Sequence, residues 1–235
     1  MALVDLLLLI SLFQPKVQKT SLYHFRKILS DFEKPFIYHY FCGFCFKELR
    51  DKSSKCDEKN IIHPKKSQKA GLDYFIEIPL IWQLQKLLKR KELFTTLTTH
   101  RFNREKNFAG DIYDGQIYEK HAQFFSNPHN FSLLWYSDGV PVYKSTNKSL
   151  WPIYFVINEL PADQRYKLEN MLIGGFWFGS KVQPNLLLRP MVNTLKKLLE
   201  GISIIPYGSD VPVIMKGIVI VGTGDIPAKS SFLGI

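Results

Sequence analysis

The chain has 235 residues, of which 46% are hydrophobic and 22% charged, so it can bury a core and is not a disordered polypeptide. Its formal net charge is +10, and most of the excess is N-terminal: residues 1–130 hold 21 Lys and Arg against 14 Asp and Glu. A basic surface favours a polyanionic partner such as DNA, although a merely soluble basic protein has the same composition.

The first 13 residues are rich in leucine, but their pattern is not that of a signal peptide or a membrane anchor. The segment lacks a basic start and a small-residue cleavage site, and it is shorter than the roughly 20 residues that span a bilayer. We therefore expect a buried N-terminal helix, no membrane association, and a basic helix over residues 14–35. An aromatic, strand-like segment follows over residues 36–46.

Three cysteines lie in and after this segment with the spacing Cys42-x2-Cys45-x10-Cys56. An odd number of cysteines favours a reducing compartment over a disulfide framework. Thiolates and imidazole are the ligands that tetrahedral Zn²⁺ prefers, so His63 or His39 would complete a Cys₃His zinc site. Because the spacing is irregular, a degenerate site with free thiols is the favoured interpretation, and bound zinc is the alternative.

A polar, lysine-rich stretch over residues 47–69 predicts a solvated loop, with contact to DNA as the alternative. Residues 78–97 predict one amphipathic helix, because a proline stands near their start and leucines recur at helical spacing. Residues 111–115 contain a turn signal, and a short helix is expected over residues 116–125. The Asn-Pro-His-Asn sequence at 127–130 then breaks the chain before the next strand.

Three apolar, strand-like runs, a helix and a fourth strand follow from residue 131 onward. They cover residues 131–136, 151–157, 171–178, 184–200 and 211–221. Gly201 is a fitting end for the helix, and Pro190 inside it predicts a kink or a restart. Strand–strand–strand–helix–strand is the order of the first half of an RNase H-like α/β fold.

Two carboxylates, Asp138 and Asp225, stand just after the first and the last of these four strands. In an RNase H-like fold those strand ends are neighbours, so the pair would hold Mg²⁺ or Mn²⁺ for phosphodiester chemistry. In the alternative interpretation, Asp138 and Gly139 form a turn dipeptide, and Asp225 caps a helix that begins near Pro227. Glu159 and Glu169 are no substitute ligands, because both lie in segments away from the expected metal end.

Several motifs in this half of the chain follow one another in a fixed order. They are Asp138-Gly-Val-Pro-Val-Tyr-Lys-Ser145, Ser149-Leu-Trp-Pro-Ile-Tyr154, Ile157-Asn-Glu-Leu-Pro161, Arg165-Tyr-Lys-Leu-Glu-Asn170, Gly174-Gly-Phe-Trp-Phe-Gly179 and Asp225-Ile-Pro-Ala228. With Asp111-Ile-Tyr-Asp-Gly115 and the Cys42-x-x-Cys45 element upstream, they resemble the transposase domain of CACTA (En/Spm-type) DNA transposons and their animal relatives.

This resemblance implies a DDE-type nuclease and strand-transferase domain with an RNase H-like fold, acting on DNA in the nucleus. Asp138 would match the first catalytic acid and Asp225 the second. The family's third acid lies well downstream, beyond a Cys-containing insertion, and has no counterpart in the 235 residues, so we expect no strand transfer. The family carries two Cys-x-x-Cys pairs upstream, whereas Lys59 stands at the expected fourth cysteine position here.

The sequence therefore predicts three regions in an incomplete RNase H-like protein. Residues 1–70 form a basic region with a degenerate zinc-binding-like element, residues 71–129 a mostly helical pre-catalytic region, and residues 130–235 the truncated transposase domain. The predicted function is that of an inactive, transposon-derived transposase fragment. The alternatives are a nucleic-acid- or protein-binding module retained from a transposon, and a product with no selected activity. In such a fragment, apolar residues of the last strand should be partly exposed.

Overall fold

A computed structural model of the chain describes residues 36–57, 72–103, 110–141, 148–179, 182–225 and 229–230. The predicted N-terminal helices, most of the predicted lysine-rich loop, Lys59 and the candidate ligand His63 lie outside these residues. None of the described helices is long and apolar enough to cross a membrane.

The described part of the chain before residue 130 contains both strands and helices. The strands are β1 (Ile37–Cys42), β2 (Glu48–Leu49) and β3 (Leu72–Glu77), and the helices are α1 (Leu80–Leu87), α2 (Lys91–Asn103), α3 (Gln116–Lys120) and α4 (Ala122–Phe125). A 3₁₀ turn, Ile112–Asp114, precedes α3.

The second part of the chain contains most of the sheet and the longest helix. Its elements are β4 (Phe131–Ser137), β5 (Val140–Pro141), β6 (Ser149–Ile157), α5 (Ala162–Arg165), β7 (Leu172–Gly179), α6 (Pro184–Glu200), β8 (Ile202–Ile204), β9 (Val213–Met215) and β10 (Gly217–Thr223). A 3₁₀ turn, Leu168–Asn170, lies between α5 and β7.

One mixed sheet organises the described residues, in the strand order β10-β4-β6-β7-β3-β1-β2, with β5 paired to β6. Strand β10 runs parallel to β4, and the other pairs are antiparallel. Strands β8 and β9 form a separate hairpin. The protein is therefore a mixed α/β protein, as the sequence predicted.

Helices α1 and α6 pack on one face of this sheet and close the main core. Leu84 of α1 and Leu187 and Met191 of α6 are buried there against Phe75 of β3 and Trp177 of β7. The predicted helix over residues 184–200 is confirmed at both ends, with a proline at its first turn and Gly201 after its last residue.

The predicted single helix over residues 78–97 is wrong, because the structure has two helices with a turn between them. In one continuous helix, at about 100° per residue, Leu93 and Leu97 would face away from Leu80 and Leu84. All four side chains are buried in the same core, so the chain must turn between α1 and α2. The phase of the leucines thus explains the break.

Two further sequence predictions differ from the structure. Strand β3 pairs with β7 and β1, so the predicted mostly helical region over residues 71–129 contributes one strand to the sheet. The predicted last strand over residues 211–221 is two strands, β9 and β10, because β9 pairs with β8 instead of joining the sheet. Strand β10 lies outermost among the described strands, and its apolar Ile218 and Ile220 are half-buried, as expected.

Candidate functional site

The two candidate acids lie at the same end of two neighbouring parallel strands. Thr223 of β10 is the register partner of Tyr136 of β4. Asp225 and Asp138 each follow that register pair by two residues, so both emerge where the strands end. Asp138 is half-buried and Asp225 is exposed, which leaves the pair accessible to an ion or a phosphate.

One tyrosine, Tyr136, is influenced by the charges of both acids. The hydroxyl of Tyr136 donates a hydrogen bond to Oδ2 of Asp138 at 3.2 Å. The pKa of Tyr136 is raised, first by burial and then by the negative charges of Asp138 and Asp225. Because the charges of both carboxylates influence the same phenol, Asp138 and Asp225 lie on the same side of the strand ends, near Tyr136.

Glycines beside the acids allow two tryptophans to pack against the backbone. A Cβ atom on Gly139 would lie 2.6 Å from the indole of Trp151, which lies on the adjoining strand β6. A Cβ atom on Gly222 would overlap the indole of Trp135. The glycine after Asp138 is thus required by close packing, and the tryptophans pack against the strand ends that carry the acids.

Two carboxylates suit one hard divalent cation better than a full two-metal site. Mg²⁺ prefers oxygen ligands and keeps several waters, so one or two protein carboxylates suffice to bind it. A two-metal clamp requires more ligands. Among the described residues, no third acidic or histidine side chain joins Asp138 and Asp225 within the distance that a shared ion demands.

The three cysteines converge in a second candidate site at the end of β1. A tight turn returns the chain after Cys42, whose N–H donates to Lys47 O and whose carbonyl accepts from Phe46 N–H, both at 2.9 Å. Phe46 takes a left-handed conformation in this turn, at φ 59°. The sulfurs of Cys42, Cys45 and Cys56 consequently lie within 4.8 Å of one another. The described part of the chain holds no other group of this kind.

The separations of the sulfurs match metal ligands better than a disulfide. Cys45 Sγ lies 3.4 Å from Cys56 Sγ, whereas a disulfide bond is about 2.05 Å long. Thiolates 2.3 Å from a tetrahedral zinc ion are about 3.8 Å apart, so a small adjustment would admit Zn²⁺. Burial raises the pKa of Cys45 to about 11, so a metal ion would have to displace the thiol proton. The three cysteines could therefore bind a metal.

His39, one of the two predicted candidates for a fourth zinc ligand, does not join the cysteines. Its Nε2 lies 3.1 Å from Oε2 of Glu77, and its Nδ1 lies 3.7 Å from Oε1 of Glu48. The bond with Glu77 is the largest of the influences that raise the pKa of His39. The imidazole of His39 on β1 contacts the carboxylates of Glu48 on β2 and Glu77 on β3, so the prediction that it ligates zinc is wrong.

Both candidate sites lie at one end of the sheet. Strand β4 ends next to Asp138, strand β7 ends at Gly179, and β1 ends at Cys42 opposite Leu72, the first residue of β3. Four strand spacings of about 4.8 Å separate β4 from β1, so the carboxylates and the cysteines are roughly 20 Å apart.

The opposite end of the sheet contains a buried polar network that sequence reasoning missed. The carboxylate of Glu159 is fully buried and accepts hydrogen bonds from Ser132 N–H, Ser132 Oγ and the hydroxyl of Tyr118 at 2.8–3.2 Å. Nη1 of Arg101 lies 3.7 Å from it. Burial raises the pKa of Glu159 to about 7, against the lowering by Ser132 and Arg101.

Arg165 joins three of the sequence motifs in the same network. Its guanidinium donates to both carboxylate oxygens of Asp111, at 2.8 and 3.0 Å, and to the carbonyls of Leu160 and Asn158. The hydroxyl of Tyr113 donates to the carbonyl of Asn158 at 2.7 Å. These bonds join three of the sequence motifs, at residues 111–115, 157–161 and 165–170, so the motifs have a structural role here. In the sequence, this network was indicated by a charged residue, Glu159, close after the apolar strand β6.

The chain matches no known protein-family model, no curated protein and no solved structure.

The transposase resemblance thus remains a prediction from ordered motifs. The structure adds one geometric fact to it: the acids that the motifs single out, Asp138 and Asp225, lie at adjacent strand ends. The acid that the resemblance set aside, Glu159, lies at the far end of β4, beside Ser132. Six residues of strand, or roughly 20 Å, separate Ser132 from Asp138.

Proposed function

We propose that the protein is a transposon-derived DNA-binding protein with an RNase H-like core, in which Asp138 and Asp225 bind one divalent cation. The observation that carries the proposal is the parallel pairing of β10 with β4, which puts both acids at one edge. The order β10-β4-β6-β7, with α6 connecting β7 to the β8–β10 region, supports an RNase H-like arrangement. The net charge of +10 supports a nucleic-acid partner, and the transposon resemblance supports a nuclear location.

The residues at the site fit Mg²⁺ or Mn²⁺, because they offer hard carboxylate oxygens at an accessible edge. When bound, such an ion supplies Lewis-acid stabilisation of a phosphate oxygen. Asp138 and Asp225 would hold the ion, and Tyr136 would hold Asp138. Since the described residues place no third acidic, histidine or cysteine side chain with this pair, we propose cation-assisted binding of DNA without strand transfer.

We expect Mn²⁺ to tighten the binding of duplex DNA through both acids. In fluorescence anisotropy, affinity should fall steeply with salt, because Lys and Arg displace counterions. Asp138→Asn and Asp225→Asn should each abolish the tightening by Mn²⁺ and retain the salt-dependent binding. Asp163→Asn, at an exposed acid of α5, is the matched control and should behave as the wild type.

Two outcomes would change this proposal. Absence of salt-dependent binding to DNA would remove the nucleic-acid function and leave a protein-binding module as the alternative. Mn²⁺-dependent nicking of DNA that Asp138→Asn abolishes would show a complete catalytic centre instead of a binding site.

We also propose that Cys42, Cys45 and Cys56 bind one Zn²⁺ ion. Elemental analysis of the purified protein should find about one zinc per chain, and Cys45→Ser should lose it, because three thiolates anchor the ion. Lys55→Ala, at an exposed neighbour of Cys56, should keep the metal. A wild-type protein that neither contains zinc nor takes up added Zn²⁺ would support free thiols in a degenerate site.

A further inference from the structure

We propose that Tyr136 is a positioning residue of the cation site, whose hydroxyl holds one oxygen of Asp138 so that the other oxygen can ligate the ion. The inference rests on the cation site proposed above and assigns a role to a side chain outside the acid pair. The contact that carries it is the hydrogen bond of 3.2 Å from the Tyr136 hydroxyl to Oδ2 of Asp138.

The geometry follows from the alternation of a strand. Residues two apart in a strand project to the same side, so Tyr136 and Asp138 can meet although Asp138 lies beyond the last strand residue, Ser137. Outside the ladder, the carboxylate of Asp138 has less backbone support than a strand residue has. A donor on the strand itself can compensate for this.

Tyr136 is itself held in place from both sides. It is the register partner of Thr223 on β10 and of Tyr154 on β6. Its ring stacks on that of Tyr154, with centroids 6.3 Å apart and planes inclined by 21°. Because the ring is fixed on a strand with a neighbour on each side, its hydroxyl has a defined position. The hydrogen bond from this hydroxyl then orients the carboxylate of Asp138.

Orientation matters more at this site than at one with many ligands. A cation site built on two carboxylates depends more on each of them than a site with four or more protein ligands does. Hydrogen-bonding partners of metal ligands typically change metal affinity 10–100-fold when they are removed. We therefore expect loss of the Tyr136 hydroxyl to weaken the cation site without removing an ion ligand.

The test compares Mn²⁺ binding by wild type, Tyr136→Phe, Tyr154→Phe and Asp138→Asn, using the electron paramagnetic resonance signal of free Mn²⁺. Tyr136→Phe should weaken binding about tenfold. Tyr154→Phe, which removes a hydroxyl from the stacked neighbour, should stay within about twofold of wild type, and Asp138→Asn should lose binding. A second readout is the tyrosine difference absorbance on addition of Mg²⁺, which should persist in Tyr154→Phe and vanish in Tyr136→Phe.

The outcomes distinguish failure of the cation site from failure of the positioning role of Tyr136. If the wild type binds no Mn²⁺, the cation site itself is wrong. If the wild type binds Mn²⁺ and Asp138→Asn does not, but Tyr136→Phe matches Tyr154→Phe in affinity and difference absorbance, only the positioning role of Tyr136 is overturned. Unchanged thermal midpoints of both phenylalanine variants in the absence of metal would exclude a general loss of structure.

Discussion

Replacing Arg165 by methionine is expected to lower the free energy of unfolding by about 2–4 kcal/mol, because it removes the buried arginine of a partly buried ion pair and the donor of two backbone carbonyls. The Arg165 side chain is 6% exposed and that of Asp111 is 19% exposed, so water cannot fully replace the lost bonds. The carbonyls of Leu160 and Asn158 lose their donor at the same time. Urea denaturation of both proteins measures the difference.

Asp111 adds a pH dependence to this result. Burial, its largest single influence, raises the pKa of Asp111, but the bonds from Arg165 and from the Ile112 N–H lower it overall from the ordinary value of 3.8. A carboxyl with a depressed folded pKa stabilises the protein above its unfolded pKa and loses that contribution as pH falls. The difference between wild type and Arg165→Met should therefore shrink at acid pH, below about 4.

Arg90→Met is the matched control for an arginine at the surface. Arg90 is 46% exposed and its partner Glu169 is 66% exposed, at 3.5 Å, and Arg90 also donates to Oδ1 of Asn170 at 2.7 Å. An exposed pair contributes about 0–1 kcal/mol and a single hydrogen bond about 0.5–1.5 kcal/mol, so the control should lose less stability than Arg165→Met. Equal destabilisation by the two substitutions would mean that the Arg165 cluster is not the anchor of residues 111–115.

Local patterns were sufficient to predict the parts of the fold that depend on neighbouring residues. Pro184 and Gly201 bound α6, and Met191 and Leu198 reveal its buried face. The position of Asp138 beside Asp225 also followed from element order, since a helix between strands permits a parallel neighbour. The break between α1 and α2 could also have been predicted, because Leu93 in a continuous helix would face away from Leu80 and Leu84.

Contacts between distant parts of the chain could not be predicted in the same way. Strand β3 pairs with β7 across about 100 residues, and its short mixed pattern resembles the start of a helix as much as a strand. His39 qualifies as a zinc ligand by residue type, but Glu77, 38 residues away, occupies it. Glu159 and Ser132 are 27 residues apart, so the acceptor role of this buried acid depends on the completed sheet.

Replacing Arg101 by methionine is expected to destabilise the protein by about 3–5 kcal/mol at pH 8. Arg101 is 7% exposed, lies 3.7 Å from the fully buried carboxylate of Glu159, and donates to the carbonyls of Asn127 and Asn130 at 2.6–2.7 Å. The substitution would leave the ionised Glu159 buried without its cation. Denaturation curves at pH 8 and pH 5.5 would measure the effect.

The sign of the pH dependence follows from the folded pKa of Glu159, which is about 7 and therefore above its ordinary value of 4.5. The folded state binds this proton more tightly than the unfolded state, so stability falls as pH rises between these values. Without Arg101 the pKa of Glu159 rises further, and the fall continues above pH 7. The loss caused by Arg101→Met should thus be at least about 1 kcal/mol smaller at pH 5.5 than at pH 8, since one pKa unit corresponds to about 1.4 kcal/mol.

Glu159→Gln in the Arg101→Met background separates charge from packing. A glutamine cannot ionise, so the double variant should show the same stability at both pH values as far as this site is concerned, and it should be more stable than Arg101→Met at pH 8. The loss of bonds to Asn127 and Asn130 would remain in both. If Arg101→Met lost equal stability at pH 5.5 and pH 8, the ionised carboxylate of Glu159 would not be what Arg101 stabilises, and its hydrogen bonds to the turn before β4 would account for its burial.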